Sequence, residues 1–296
     1  RGHEGRRHRH RGRGPHGDGG PDGRGDGVRR LPRRPPRRQP HGAARRQDRA
    51  HGLRHHGPPR RDEAARVLDA ARRHKTSRMV QVSTDEVYGT LQLDDTNLFT
   101  EDTAFAPNVP YAAAKAGGDL LCRAYHTTFG VPVMVTHCSN NYGPYQFPEK
   151  LIPYAIFKAM QDAPVPIYGD GKYVRDWIHV EDHARALLLV LEKGTPGEVY
   201  NIGSDNERAN IDVVHMILEN LGKPTTLTTT VEDRPGHDRR YGIDATKIKN
   251  ELGWMPHYPA EKFAQGLAET IAWYQKNTAW VDALRKRQNE MNAHIH

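Results

Sequence analysis

Ser83-Thr84-Asp85-Glu86-Val87-Tyr88-Gly89 sets a hydroxyl and two adjacent carboxylates at the end of the apolar run Met79-Val80-Gln81-Val82, and Tyr111 and Lys115 follow four residues apart. Neighbouring carboxylates repel one another's charge, so one is favoured as a proton donor and the other as a base. A tyrosine and a lysine four apart share one face of a helix. Free tyrosine titrates near 10, and substantial phenolate at neutrality asks for about 4 kcal/mol of differential stabilisation, which a nearby ammonium acts to supply. Such a pair is suited to taking a hydroxyl proton while hydride leaves carbon. Taken alone, Tyr-x-x-x-Lys is also the pattern of an ordinary solvated surface pair.

These residues need elements that bring them together. Residues 79–82 read as a short buried strand, and in open α/β sheets reacting groups collect at the carboxyl ends of strands. Asp85 and Glu86 point to opposite faces of a regular strand, so one substrate can reach both only if the chain turns there. Apolar spacing and end signals predict helices over 64–75, 111–130, 150–160, 179–191, 211–221, 245–252 and 260–274. Strands are expected over 131–136, 165–168 and 198–202, with a turn at Gly169-Asp170-Gly171. Strands alternating with helices of this length indicate an α/β fold with a parallel sheet. Residues 277–296 read as polar and ending in a loose tail.

Composition divides the chain of 296 residues. Residues 1–63 hold 19 Arg, 13 Gly, 8 Pro and 8 His against 7 acidic residues, a formal +12, and contain no Lys, Ser, Thr, Asn, Ile, Cys, Met or aromatic residue. The remaining 233 residues carry 25 basic and 29 acidic side chains, a balance of −4. Val28, Leu31 and Leu53 are the only aliphatic side chains larger than Ala in the front segment, too few to offset the entropy of ordering, so it is expected not to fold. Gly12-x-Gly14-x-x-Gly17 and Gly17-x-x-Gly20-x-x-Gly23 match phosphate-binding strings on paper. Neither has the apolar strand before it or the helix after it that such a loop requires. Three origins compete for this segment: a nucleic-acid-binding tail, a solvated linker, or a GC-rich coding sequence read out of frame. Aromatic stacking residues are missing, which argues against nucleic acid, and the composition favours the third reading.

Cys122 and Cys138 form neither a disulfide framework nor a zinc spacing, and no apolar run has the length of a membrane span or a signal core, so a cytoplasmic setting without membrane partners is expected. His179 and His183 lie four apart with no third ligand in view, so no metal is expected.

S-T-D-E-V-Y-G followed by P-Y-A-A-A-K-A resembles the extended short-chain dehydrogenase/reductase family. The T-D-E triplet, residues 138–153 (C-S-N-N-Y-G-P-Y-Q-F-P-E-K-L-I-P), 166–186 and 233–244 resemble the dTDP-glucose 4,6-dehydratases within it. The resemblance runs from about residue 64 to about residue 280. It implies an NAD-binding Rossmann-like parallel sheet over 64–138 and 180–203, its N-terminal half missing or scrambled in residues 1–63, with a smaller C-terminal α/β substrate region over 139–179 and 204–296. It also implies NAD as cofactor, dTDP-glucose as substrate and a homodimer.

By the same resemblance Tyr111 is the base at the sugar C4 hydroxyl, Lys115 lowers its pKa and binds the nicotinamide ribose, and Thr84 hydrogen-bonds the C4 oxygen. Glu86 removes the C5 proton and Asp85 protonates the departing C6 hydroxyl. Asn141 lies near the cofactor. Asn140, Lys150, Arg175, Asn210, Arg234 and His237 surround the nucleotide diphosphate, and Pro166, Ile167 and Tyr168 form the base pocket.

Plainer roles compete at several positions: Asn210 as the cap of the helix beginning at Ile211, Arg175 with Asp176 as a structural ion pair, Lys150 on a solvated face. A related NAD-dependent nucleotide-sugar epimerase or decarboxylase, or a non-catalytic fusion binding nucleic acid through its Arg-rich front, are the alternative functions. The expected chemistry is a 4,6-dehydration by family, with NAD bound poorly or not at all by this chain, since the family's opening strand, glycine turn and helix are not recognisable in residues 1–63.

Overall fold

The computed structural model describes residues 61–293. The expectations for the glycine strings and for nearly all of the front segment fall outside those residues. The first helix, α1 (Arg61–Arg73), begins three residues before Ala64. Strand β1 (Met79–Thr84) follows and runs into a 3-10 turn, Asp85–Tyr88. Helix α2 (Pro110–Phe129) opens on a proline, whose missing N–H has no role in a first turn, and closes on Gly130 at φ 67°, a left-handed cap whose N–H bonds the His126 carbonyl.

Strand β2 spans Val133–Cys138 and starts after Pro132 rather than at Val131, since a proline N cannot donate to a ladder. Then come β3 (Asn140–Tyr142), α3 (Leu151–Met160), β4 (Val165–Tyr168), β5 (Val174–His179), α4 (Val180–Lys193) and β6 (Val199–Ile202). The chain continues through β7 (Glu207–Ala209), α5 (Asn210–Asn220), β8 (Thr228–Val231), α6 (Thr246–Leu252), α7 (Phe263–Lys276) and α8 (Thr278–Ala293).

The expected loose tail is therefore helical through most of its length. Val281 is fully buried in the largest apolar cluster, and the Trp280 ring lies 5.6 Å from Tyr145 and 5.3 Å from Trp273. Two adjacent apolar residues in a polar stretch give no periodic signal, yet they dock the helix. Strands β3, β5, β7 and β8 are not visible in the sequence either. Arg175, Asp176 and His179 break the apolar run of β5, although five of its six residues are buried.

Three sheets result, in an α/β fold. Strands β1, β2 and β6 are parallel in the order β1-β2-β6. Their register pairs Thr84 with Cys138 and Cys138 with Ile202, so the three carboxyl ends lie flush. Strand β5 pairs β3 in parallel and β7 antiparallel, while β4 and β8 form a parallel pair. Among the described residues β1 has a strand on one side only. A groove of about 540 Å³ lies beside it, lined by Val80, Val82, Leu187, Leu188 and Leu191 among others.

One apolar core joins α3, α5 and α7 to β3, β4 and β5; a second joins β2 and β6 to α4 and α6. Ile217 in α5 is 0 % exposed and Leu188 in α4 is 59 % exposed. Ile217→Ala is expected to lower unfolding stability by about 2–5 kcal/mol, and Leu188→Ala to stay within about 0.5 kcal/mol of the parent, as read from urea midpoints.

Candidate active site

The strand exit of β1 does turn. Thr84 caps the 3-10 turn, its Oγ1 accepting from the Glu86 N–H at 3.3 Å and donating to Asp85 Oδ1 at 3.3 Å. Asp85 points inward, is 2 % exposed, and leaves Oδ2 without a hydrogen-bond partner. Glu86 is half-buried. Gly89 ends the turn at φ 93°, where a Cβ would stand 2.6 Å from the Ala106 carbonyl oxygen, so both the conformation and the space require glycine.

Tyr111 stands in the first turn of α2 and is 44 % exposed. One turn on, Lys115 donates to the Val82 carbonyl at 2.5 Å, which pins α2 to the end of β1. Another turn on, Asp119 is buried and accepts from Ser83 Oγ at 2.6 Å. His137 of β2 places Nε2 3.2 Å from the same Asp119 oxygen and Nδ1 2.6 Å from the Tyr88 hydroxyl, which donates to Asn201 Oδ1 of β6 at 2.9 Å. Sequence reasoning missed Asp119, His137, Tyr88 and Asn201. The signal available was Asp119 at four residues beyond Lys115, a carboxylate on the same helix face.

Burial pushes the Asp85 carboxyl well above the usual range, the Glu86 charge acts the same way, and Arg175 opposes it. Burial also raises Glu86, but there Arg175, Lys150 and Arg234 pull down against Asp238. The two neighbours thus sit in unlike fields, one among carboxylates in the interior and one facing cations. Tyr111 is pushed up to about 12, first by burial and then by Glu86, Cys138, Asp85 and Asp119. The expected lowering by Lys115 is not what this arrangement produces, because carboxylates crowd the phenol and the ammonium is bonded to Val82.

The cations that act on these carboxyls are Arg175, Lys150 and Arg234. Arg175 is 6 % exposed and donates to the carbonyls of Val174 at 2.7 Å and Asp238 at 2.8 Å, with its guanidinium 4.2 Å above the Tyr241 ring. Asp176, its neighbour on β5, points the other way and accepts from the N–H groups of Ser204 and Asn206, so the Arg175–Asp176 ion pair does not form. Burial raises Asp176 to about 6 despite those two donors. Lys150 precedes α3, and burial lowers its pKa while Glu149 and Glu86 raise it.

Arg234 lies 4.9 Å over the Tyr168 ring and bonds His237, and both line a cleft of about 490 Å³ with Thr90, Asn108, Asp238 and Arg239. Tyr168 and Pro166 lie on the half-exposed face of β4. The Ile167 side chain lies on the other face, 4 % exposed in the core, so it is not brought to the cleft.

Asn210 does not cap α5. The helix starts at Asn210 itself, and its Oδ1 is buried without a partner, as is that of Asn140. Asn141 donates to the Ser139 carbonyl at 3.1 Å, and its Oδ1 lies 2.9 Å from His183 Nδ1. His179 accepts from the Glu181 N–H at the start of α4, and burial holds His183 down at about 4. Among the described residues no group of three or more His, Cys, Asp or Glu could hold a metal ion.

A carboxyl with a folded-state pKa above its unfolded value makes the folded state bind more protons. Its burial therefore costs nothing below the unfolded value of about 3.9, and stability falls as pH rises from there toward the folded value. Asp85→Asn is expected to raise the urea midpoint at neutral pH and to leave it unchanged about two units below the unfolded value of ~3.9, where the carboxyl is neutral in both the folded and the unfolded state. Equal shifts at the two pH values would contradict this.

Residues 64–270 match the family model described as GDP-mannose 4,6 dehydratase. A dTDP-glucose 4,6-dehydratase of Xanthomonas campestris pv. campestris is 54% identical over 221 residues, covering 72% of this chain and 62% of that protein. The chain thus spans less than two thirds of that relative's length. The crystal structure of dTDP-glucose 4,6-dehydratase from Bacillus anthracis in complex with NAD superposes with a TM-score of 0.72 at 49% identity, covering 76% of this chain and 72% of that one. A UDP-glucuronic acid 4-epimerase of Bacillus cereus, in complex with UDP-glucuronic acid and NAD, gives 0.67 at 27% identity, over 73% and 67%. The chain belongs to the GDP-mannose 4,6 dehydratase family of Rossmann-like nucleotide-sugar enzymes.

Proposed function

We propose that the protein acts as a dTDP-glucose 4,6-dehydratase, a lyase producing the 4-keto-6-deoxy sugar nucleotide. The observation that carries this reading is the unlike environment of two adjacent carboxyls, Asp85 raised in the interior and Glu86 facing Arg175, Lys150 and Arg234. Elimination of water from C5 and C6 needs one acid and one base on the same few atoms. An epimerisation has no use for such a pair, so the epimerase or decarboxylase alternative leaves Asp85 unexplained.

The donor set at the strand exit fits NAD. A half-exposed phenol and an ammonium one helical turn apart can meet ribose hydroxyls, and Asn141 lies on the adjoining β3. Tyr111, Lys115 and Asn141 would hold it, and NAD when bound supplies the oxidant at C4 and the reductant at C6. Tyr111 takes the proton of the C4 hydroxyl while Thr84 donates to the C4 oxygen; the burial and the carboxylates that raise Tyr111 have to be offset by the positive charge that bound NAD would bring. The 4-ketone makes the C5 proton acidic; Glu86 removes it, and Asp85, whose protonated form is favoured by its burial, gives its proton to the leaving C6 hydroxyl. Asn140, Lys150, Arg175, Asn210, Arg234 and His237 hold the diphosphate, with Pro166 and Tyr168 against the base. The buried, unpartnered oxygens of Asn140 and Asn210 support that placement.

The same reading divides the chain into a cofactor part, 64–138 with 180–203, and a substrate part, 139–179 with 204–296. It places the enzyme in deoxysugar biosynthesis, in the cytoplasm, as a homodimer. Free Cys122 and Cys138 accord with a reducing compartment, and no described helix is long and apolar enough to cross a membrane.

With NAD in excess, dTDP-glucose is expected to give a product lighter by one water, read by mass spectrometry. Glu86→Gln and Asp85→Asn are each expected to lower kcat by about 10²–10⁴-fold. A product of unchanged mass would replace the dehydratase reading with an epimerase. Because the sequence of residues 1–63 shows no recognisable pattern of apolar strand, glycine turn and helix in succession, NAD is expected to bind poorly or not at all; stoichiometric NAD retained through purification would overturn that expectation.

A further inference from the structure

The His237 side chain is 8 % exposed, stacked on Tyr173 with ring centroids 3.8 Å apart and planes 14° from parallel. Its two nitrogens meet opposite partners. Nδ1 lies 2.8 Å from Asp233 Oδ1, and Nε2 lies 3.1 Å from Arg234 Nη2. A guanidinium only donates, so Nε2 must offer its lone pair and the ring proton must sit on Nδ1, facing Asp233. Putting a second proton on Nε2 would set N–H against N–H at 3.1 Å. Arg234 has to leave before His237 can become a cation.

Arg234 is exposed, apart from its contact with the Tyr168 ring, and it opens onto the 490 Å³ cleft. An anion entering that cleft offers the guanidinium two oxygens and accepts from a protonated Nε2 as well. We infer that a nucleoside diphosphate binds this cleft together with one proton, its phosphate drawing Arg234 off His237 so that Nε2–H becomes a second donor to the same anion. This rests on the reading of the cleft as the nucleotide site and adds to it the protonation step that makes His237 a determinant of affinity.

The other charges around the ring agree with that assignment. On its own loop stand Asp233, Arg234, Asp238 and Arg239; from β5 and the turn before it come Asp170, Tyr173 and Arg175, and from β4 Tyr168. Arg239 forms a two-pronged pair with Asp170, at 3.0 Å on each oxygen, and Asp238 accepts from Asn108 and Tyr241, so neither is free to neutralise the ring. Tyr173 donates its hydroxyl to the second Asp233 oxygen, which fixes the carboxylate that faces Nδ1. Burial lowers the proton affinity of the ring; Asp233 opposes this, while Arg234 and Arg175 add to it. An incoming phosphate reverses the sign of that field.

Isothermal titration of the full chain with dTDP, in buffers of differing ionisation enthalpy near neutral pH, reads the proton count directly. The wild type is expected to take up close to one proton more than His237→Gln, a comparison that cancels the titration of the nucleotide's own terminal phosphate. Affinity of the wild type should fall by up to about tenfold per pH unit as pH rises across the window between the free and bound pKa of the ring. Arg234→Ala should let the ring protonate at higher pH without nucleotide. Nitrogen-15 shifts of the wild-type imidazole give the same answer if His237→Gln fails to fold: Nε2 should move from lone-pair to protonated character when dTDP is added. Equal proton exchange in wild type and variant, or an unmoved Nε2 signal with dTDP bound, overturns the inference alone. No binding of dTDP at any pH removes the nucleotide reading of the cleft and the inference with it.

Discussion

The Asp119 carboxylate is buried between α2 and the parallel sheet, and an ionised group taken out of water is costly unless its partners are in place. Those partners come from different elements: Ser83 from the end of β1 and His137 from β2, with Tyr88 of the 3-10 turn and Asn201 of β6 completing the chain of contacts. Pairing Asp119 Oδ2 therefore ties helix, turn and strands to one register, while Oδ1 is buried without a hydrogen-bond partner. Thr84 is next to Ser83, Asp85 and Glu86 share the turn with Tyr88, and Lys115 and Tyr111 lie one and two helical turns before Asp119. The candidate site residues inherit their mutual placement from this polar network. Networks of this kind specify one arrangement more strongly than an apolar contact of the same size.

The turn itself resolves the geometric difficulty of adjacent carboxylates. On a strand, successive side chains diverge by about 180°, whereas in a 3-10 turn they diverge by about 120°. Asp85 can then lie in the interior while Glu86 comes into the field of Arg175, Lys150 and Arg234. The separation of their proton affinities follows from where each side chain ends, with burial dominating at both and guanidinium and ammonium groups opposing it more at Glu86. Sites of this sort carry a stability penalty, since Asp85 Oδ2 lacks a partner and the charged form is disfavoured.

Arg175 and Arg234 are held by aromatic faces, carbonyls and a neutral imidazole instead of direct ion pairs. Arg175 lies over Tyr241 and donates to three backbone carbonyls, those of Val174, Asp238 and Arg239. Arg234 lies over Tyr168 and leans on His237. Guanidiniums held this way keep their charge uncancelled by a carboxylate, which suits them to an anion arriving from solvent.

Much of the site was legible in the sequence because its residues are local. Thr84, Asp85 and Glu86 are consecutive, Tyr111 and Lys115 share a helix face, and the helices announced themselves by apolar spacing with Pro110, Gly130 and Gly222 at their ends. What the sequence could not give depends on contacts between residues far apart. Asn210 reads as a cap and Arg175–Asp176 as a pair only until the neighbours that compete for them are known. Ile167 is assigned to the base pocket until the pleat of β4 turns it into the core. The short strands β3, β5, β7 and β8 have no pattern of their own, since partners more than thirty residues away define them. Tyr111 shows the same division: its type and its spacing to Lys115 are written in the chain, but its proton affinity is raised by burial first and then by the charges that folding gathers around it. Spacing along a chain determines which groups share an element. The fields those groups feel are set by burial and by charges from elsewhere, and only the tertiary structure decides them.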